Sequence, residues 1–464
     1  MSEPLWSWSA LDLAAAIRAK EVSCKEAASS VLARIHAVNP RLNALAYVLD
    51  EEALAAADEA DRAVAAGAAL CPLHGVPVTT KVNVDQTGCA TTDGVVAKLD
   101  NIAAEDSPPV ASLKAAGAII VGRSNTPAFS VRWFTDNDAH GRTLNPWDAG
   151  VTPGGSSGGA ASAVAAGMGC IAQGNDFGGS VRHPAYACGV VGLRPSVGRI
   201  ASFNATSKAP RGICLQLMSV QGPLTRNVAD ARAALHAMAR PDARDPVWVP
   251  APLEGPAPNA PVRAAMFTGG AGADPAVRAA VEQAARALEA AGFKVEEKAP
   301  PHFDEAAALW RALVYGEMRG ELPAIERLAD KATRFNVRHS IAGTPRLDGD
   351  AFLAGLARRY AIQHAWSVFF ADYPVLLMPV SMRNPFPVDE DVRTPERLEK
   401  VIAAQAPLLA TALLGLPGLS VPTGIVDGVP MGVQLCATRC REDLCLLAGE
   451  AVERAAGRFQ PPLY

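Results

Sequence analysis

Three serines in this chain lie directly beside paired glycines. Ser156 and Ser157 lie in P-G-G-S-S-G-G-A-A-S, from Pro153 to Ser162, and Ser180 closes N-D-F-G-G-S, from Asn175. Glycine admits backbone conformations closed to other residues and lets a ligand approach the main chain. A hydroxyl so placed is held out for use, with free N–H groups beside it. Phosphate binding would need a lysine directly before Ser or Thr, or a G-x-G-x-x-G turn, and neither is present. A structural turn accounts for the glycines but not for serines in matching contexts. A nucleophile with an oxyanion hole accounts for both: the backbone N–H groups of Phe177, Gly178, Gly179 and Ser180 can converge on one point, with Ser180 as the attacking hydroxyl.

A serine attacks a carbonyl only when a base takes its proton. His183 is followed at once by Pro184 and is poorly placed to be oriented by a third group. Lys81 offers another solution, because a desolvated lysine becomes a neutral amine that accepts a proton. Most lysines are simply solvated, so Lys81 gains meaning only beside the serines. Ser157 and Asp176 read as support, Ser157 bonding within its loop and Asp176 fixing loop amides or Arg182.

The elements that must position these groups follow an alternating rhythm. The β-branched run L-H-G-V-P-V-T-T-K, Leu73 to Lys81, reads as a strand that delivers Lys81 to its end. A helix from Pro109 to Ala116, a strand from Ala118 to Val121, a helix from about Gly158 to Ala166 and a strand near Cys170 to Gln173 continue it. Upstream, Ser9 and Ser23 cap helices, the second expected to end at Pro40. This predicts an α/β fold: a mixed or mostly parallel sheet flanked by helices, with the site beyond the strand ends. Residues 240–262 are Pro-rich and read as a surface linker, and about 304–370 as a helical, aromatic, cap-like region.

Several stretches together closely resemble the amidase signature family. They are L-H-G-V-P-V-T-T-K, G-A-I-I-V-G-R-S-N-T-P, P-G-G-S-S-G-G-A-A-S-A-V-A-A-G, G-N-D-F-G-G-S-V-R, G-V-V-G-L-R-P, S-V-Q-G-P-L-T-R-N-V-A-D and G-L-P-G-L-S-V-P-T-G with P-M-G-V-Q-L. The resemblance implies one α/β/α domain over residues 1–464 around a mixed sheet. It also implies a Ser-Ser-Lys triad whose lysine falls on Lys81, bridging serine, in a cis peptide, on Ser156, and nucleophile on Ser180. Departures from the family pattern occur at Arg123, Ala128, Asn175, Phe177 and His183. Phe177 and His183 flank the nucleophile loop and, with Trp133, Phe134 and Met218, are the candidates for a substrate pocket.

Composition bounds the partners. With 49% hydrophobic and 19% charged residues, and 43 Lys plus Arg against 47 Asp plus Glu, the chain buries a large core and shows no nucleic-acid or anionic-membrane surface. The start lacks a secretory signal, so the expected location is the cytoplasm. The nine cysteines read as reduced core thiols, with no metal and no cofactor called for. The expected partners are a small amide-like substrate and water, with a homodimer left open. The expected activity is hydrolysis of aryl or apolar amides, the same chemistry extending to carbamates, ureas or esters. A glutaminase subunit of a tRNA-dependent amidotransferase ranks second and a non-catalytic binder third.

Overall fold

The computed structural model describes residues 3–457, 459 and 460. Eleven strands form one sheet: β1 (Leu45–Val48), β2 (Pro77–Lys81), β3 (Ile119–Ser124), β4 (Ile171–Asp176), β5 (Val191–Arg194), β6 (Val220–Thr225), β7 (Arg263–Met266), β8 (Lys294–Glu297), β9 (Val375–Pro379), β10 (Gly418–Val426) and β11 (Val429–Cys436). Their order is β1-β3-β2-β4-β6-β5-β10-β11-β9-β7-β8, with parallel pairing of β2 to β3 and β4 and antiparallel pairing through the centre. The sheet is thus mixed, as expected. β2, β3, β5, β9 and β11 are buried along their whole length, which is why they read as apolar or β-branched runs rather than as alternations.

Helices pack on the sheet where small residues permit close approach. The Gly158–Ala165 helix, G-G-A-A-S-A-V-A, lies against β4 and the Arg182–Cys188 helix. A Cβ at Gly159 would lie 2.4 Å from Asn125 N, so no larger residue fits without displacing backbone. Pro275–Ala290 packs on β9 and β11, and Glu442–Ala456 on β10. Ser9 and Ser23 do cap helices, the second with a capping box to Glu26. That second helix runs through Pro40 to Leu42 rather than stopping there, and ends where Asn43 takes a left-handed conformation. A proline near the last turn removes one donor, and burial of Leu42 holds the turn in place.

Between Met238 and Arg263 there is no helix or strand. Strand β5, before this stretch, pairs with β10, after it, so one sheet draws strands from both sides. Residues 303–372 are four helices, Phe303–Met318, Leu322–Leu328, Lys331–Ala342 and Gly349–Asp372, the first of which meets the Ala406–Leu413 helix.

Candidate active site

Lys81 is the last residue of β2 and is fully buried. Its N–H donates to Gln173 Oε1 on β4 at 3.0 Å, which ties the strand end to its neighbour. Its Nζ lies 2.7 Å from Ser156 Oγ, 2.8 Å from Asn175 Oδ1 and 3.2 Å from Ser157 Oγ. Burial pushes the ammonium pKa down to about 7, against the pull of Asp93 and Asp176, so the amine is substantially neutral near neutrality. The bond from Gly155 to Ser156 is cis. At Gly155 a Cβ would stand 2.5 Å from Arg132 O and 2.6 Å from Phe134 N, so the loop passes hard against the 132–134 backbone. Ser157 N donates to the carbonyl of Ser180 at 3.1 Å, which docks the two serine loops on each other.

The 176–180 loop is held by its carbonyls. Asp176 O accepts from Arg194 Nη1 at 2.7 Å, Phe177 O from Trp310 Nε1 at 3.1 Å, and Gly178 O from Trp133 Nε1 at 3.0 Å. Gly179 O accepts from His183 N at 2.8 Å. In a trans peptide the following N–H points opposite to the carbonyl, so pinning these carbonyls sets the direction of the N–H groups. The Gly179 N–H is already engaged, donating to Asp176 Oδ1 at 2.8 Å. Of the four amides expected to converge, that of Gly179 is therefore turned to the Asp176 carboxylate instead. Gly179 has φ 107°, a conformation that favours glycine, and a Cβ there would lie 2.5 Å from Leu408 Cδ1.

Asp176 anchors this loop. Its carboxylate accepts from Arg182 Nε and Nη2 and from Arg194 Nη1, each at 3.0 Å, and from Val181 N at 3.2 Å. The two guanidiniums and the Gly179 amide overcome its burial and hold its pKa well below the usual carboxylate range. Arg182 was expected here. Arg194 was not, because a buried arginine on a strand gives no signal of its own in G-V-V-G-L-R-P.

Ser156 and Ser180 line one cavity of about 760 Å³. Its walls include Phe129, Trp133, Phe177, Phe203, Trp310 and Tyr315, with Asn83, Asp93 and Asn175 near the lysine. Two of the five pocket candidates, Trp133 and Phe177, therefore face it. Phe134, His183 and Met218 do not: all three are buried in the core. Phe134 and His183 pack near Phe386, with ring centroids 6.2 and 6.1 Å away, and burial pushes the imidazole pKa down to about 3. Their proximity in sequence to the loop misled, since a helix starting at Arg182 turns His183 away from the cavity. Phe203, Trp310 and Tyr315 come from distant segments and could not be found from local motifs.

A mixed sheet with helices packed on it, and a cavity lined by Ser156 and Ser180 beside the buried Lys81, define an α/β protein with serine hydroxyls and a lysine amine at one site. Residues 26–446 match the family model described as Amidase, and the chain belongs to the amidase signature family. Over 459 residues it is 46% identical to the indoleacetamide hydrolase of Bradyrhizobium diazoefficiens, covering 98% of this chain and 87% of that one. It is 33% identical to a glutamyl-tRNA(Gln) amidotransferase subunit of Acidothermus cellulolyticus, over 96% of this chain and 94% of that one. Among solved structures, 6-aminohexanoate cyclic dimer hydrolase superposes with a TM-score of 0.84 at 27% identity, over 99% of both chains. Among the described residues, no helix is long and apolar enough to cross a membrane.

Proposed function

We propose that Ser180 is the nucleophile, Ser156 the proton relay and Lys81 the base in hydrolysis of an arylacetic-type primary amide. The observation that carries this reading is the fully buried Lys81 amine 2.7 Å from Ser156 Oγ, in a cavity that Ser156 shares with Ser180. Ser180 Oγ bonds to the amide carbon while its proton passes to Ser156 and the Ser156 proton to Lys81. The carbonyl oxygen becomes an oxyanion facing the N–H groups of Phe177, Gly178 and Ser180. The C–N bond then breaks as Ser156 protonates the nitrogen and Lys81 returns its proton to Ser156, so ammonia leaves neutral. Water, deprotonated by the same relay, releases the acid and frees Ser180. Six aromatic side chains around the cavity suit a flat ring, and the similarity to an indoleacetamide hydrolase points the same way.

The test is turnover of indole-3-acetamide by the purified protein, with fluorophosphonate labelling located by mass spectrometry. Label on Ser180 and loss of turnover in Ser180→Ala are expected; an unchanged rate in that variant overturns the assignment. The second reading, a glutaminase component of an amidotransferase complex, rests on the 33% identity to the Acidothermus protein. It requires glutamine hydrolysis within a stable complex, which a lone protein active on aryl amides rejects.

A further inference from the structure

A chain of hydrogen bonds leads from the lysine to the cavity wall. Lys81 Nζ donates to Asn175 Oδ1 (2.8 Å), Asn175 Nδ2 to Asn83 Oδ1 (2.9 Å), Asn83 Nδ2 to Ser130 Oγ (2.9 Å), and Ser130 Oγ to Asp93 Oδ1 (2.8 Å). A carboxylate only accepts, so its end of the chain decides the direction of every bond. Ser130 spends its proton on Asp93, its oxygen takes the Asn83 N–H, and the amide of Asn175 is thereby turned with its oxygen toward the amine. Asn175 Oδ1 has no proton to give, so Lys81 must donate to it. The Ser157 hydroxyl is directed at the carbonyl of Asn175 (3.4 Å), which leaves its oxygen for a second Lys81 N–H. A neutral amine has two N–H groups and one lone pair. With both N–H groups taken, the lone pair faces the remaining neighbour, Ser156 Oγ, at the shortest of the three distances.

We propose that Asn175, Asn83 and Ser130 are positioning residues that aim the Lys81 lone pair at Ser156, with Asp93 as the anion that sets the polarity of the chain. This rests on the reading of Lys81 as the base. Asp93 and Ser130 both hold left-handed backbone, φ 50° and 57°, as does Phe129, whose N–H donates to Asp93 O at 2.9 Å. Non-glycine residues keep that conformation where their surroundings enforce it, commonly at functional sites. The charged groups that face Lys81 are Asp93 and Asp176, the latter matched by Arg182 and Arg194; those that face Asp93 are Lys98, at 3.5 Å, and Lys81. Ionised Asp93 favours the ammonium, so removing its charge makes Lys81 lose its proton at lower pH.

The experiment is the pH profile of indole-3-acetamide hydrolysis by the full-length protein and its variants, with folding checked by thermal melts. Asp93→Asn keeps a carbonyl acceptor for Ser130 but removes the charge. Its acid limb should move down by about half a pH unit or more. Ser130→Ala and Asn175→Ala keep the charge but break the chain. They should lower plateau kcat by about 10-fold or more with KM changed less than about 3-fold. An acid limb that stays in place in Asp93→Asn, or an unchanged plateau in both chain-breaking variants, overturns the proposal; should Asn175→Ala fail to fold, Ser130→Ala and Asp93→Asn decide it. Lys81→Ala and Ser180→Ala run alongside: if these retain turnover, the reading of the base and nucleophile has failed, and if they alone lose it, only the positioning chain has.

Discussion

At the scale of one residue, the Lys81 amine sets both the working range and a stability penalty. Its pKa falls from an ordinary 10.5 to about 7 on burial. Activity that needs the neutral amine should therefore rise through an acid limb near pH 7, and Asp176, ionised far below that, contributes nothing to the limb. The same shift acts on folding. The unfolded chain binds a proton that the folded one releases, so stability rises with pH between about 7 and about 10.5 and the full penalty stands below that window. Lys81→Met, a side chain of similar length without the charge, should then stabilise the protein at pH 7 by on the order of 4 kcal/mol while abolishing amide turnover. Chemical denaturation of both proteins at pH 7 and pH 10 checks this: the difference should shrink at the higher pH, and a less stable variant at pH 7 contradicts it.

Among elements, the loop after β4 depends on two indole N–H groups from outside its own sequence neighbourhood. Trp133 holds Gly178 O and Trp310, on the Phe303–Met318 helix, holds Phe177 O. Trp310→Phe keeps a ring in the cavity wall but removes the donor that orients the peptide between Phe177 and Gly178. Losing an oxyanion donor outright lowers kcat by about 100-fold to 1,000-fold, so loosening one should lower it by about 10-fold, with a smaller change in KM. Steady-state kinetics at saturating substrate make the comparison, and a change confined to KM would assign Trp310 to substrate binding alone. On the other side of the loop, Asp176→Asn leaves Arg182 and Arg194 buried without their anion. A loss of about 3–5 kcal/mol in unfolding free energy is expected, measured by denaturant titration.

For the whole molecule, the sheet joins what the Pro-rich stretch separates in sequence. Residues 252–261 are largely exposed and outside any element, whereas β5 and β10 pair at the centre of the sheet. We propose that residues 1–464 form a single folding unit. Limited proteolysis should cut within 252–261, and the two fragments should still elute together on gel filtration and keep turnover. Fragments that separate without denaturant would mean two units.

Short motifs carry much of the site because glycine pairs, a serine beside them and a strand-ending lysine each leave a local mark. The alternation of β-branched runs with capped helices carries the fold class for a similar reason: burial on both faces of a strand leaves a continuous apolar run. The sequence by itself therefore determined the family, the mixed sheet, and Lys81, Ser156 and Ser180 as the residues to examine. Only the tertiary structure decided what surrounds them. Asn175 bonds the amine, Arg194 reaches Asp176, Trp310 grips the loop from more than a hundred residues away, and His183 turns into the core. Each of these depends on the direction in which a side chain leaves a packed element, and that direction is set by neighbours remote in the chain.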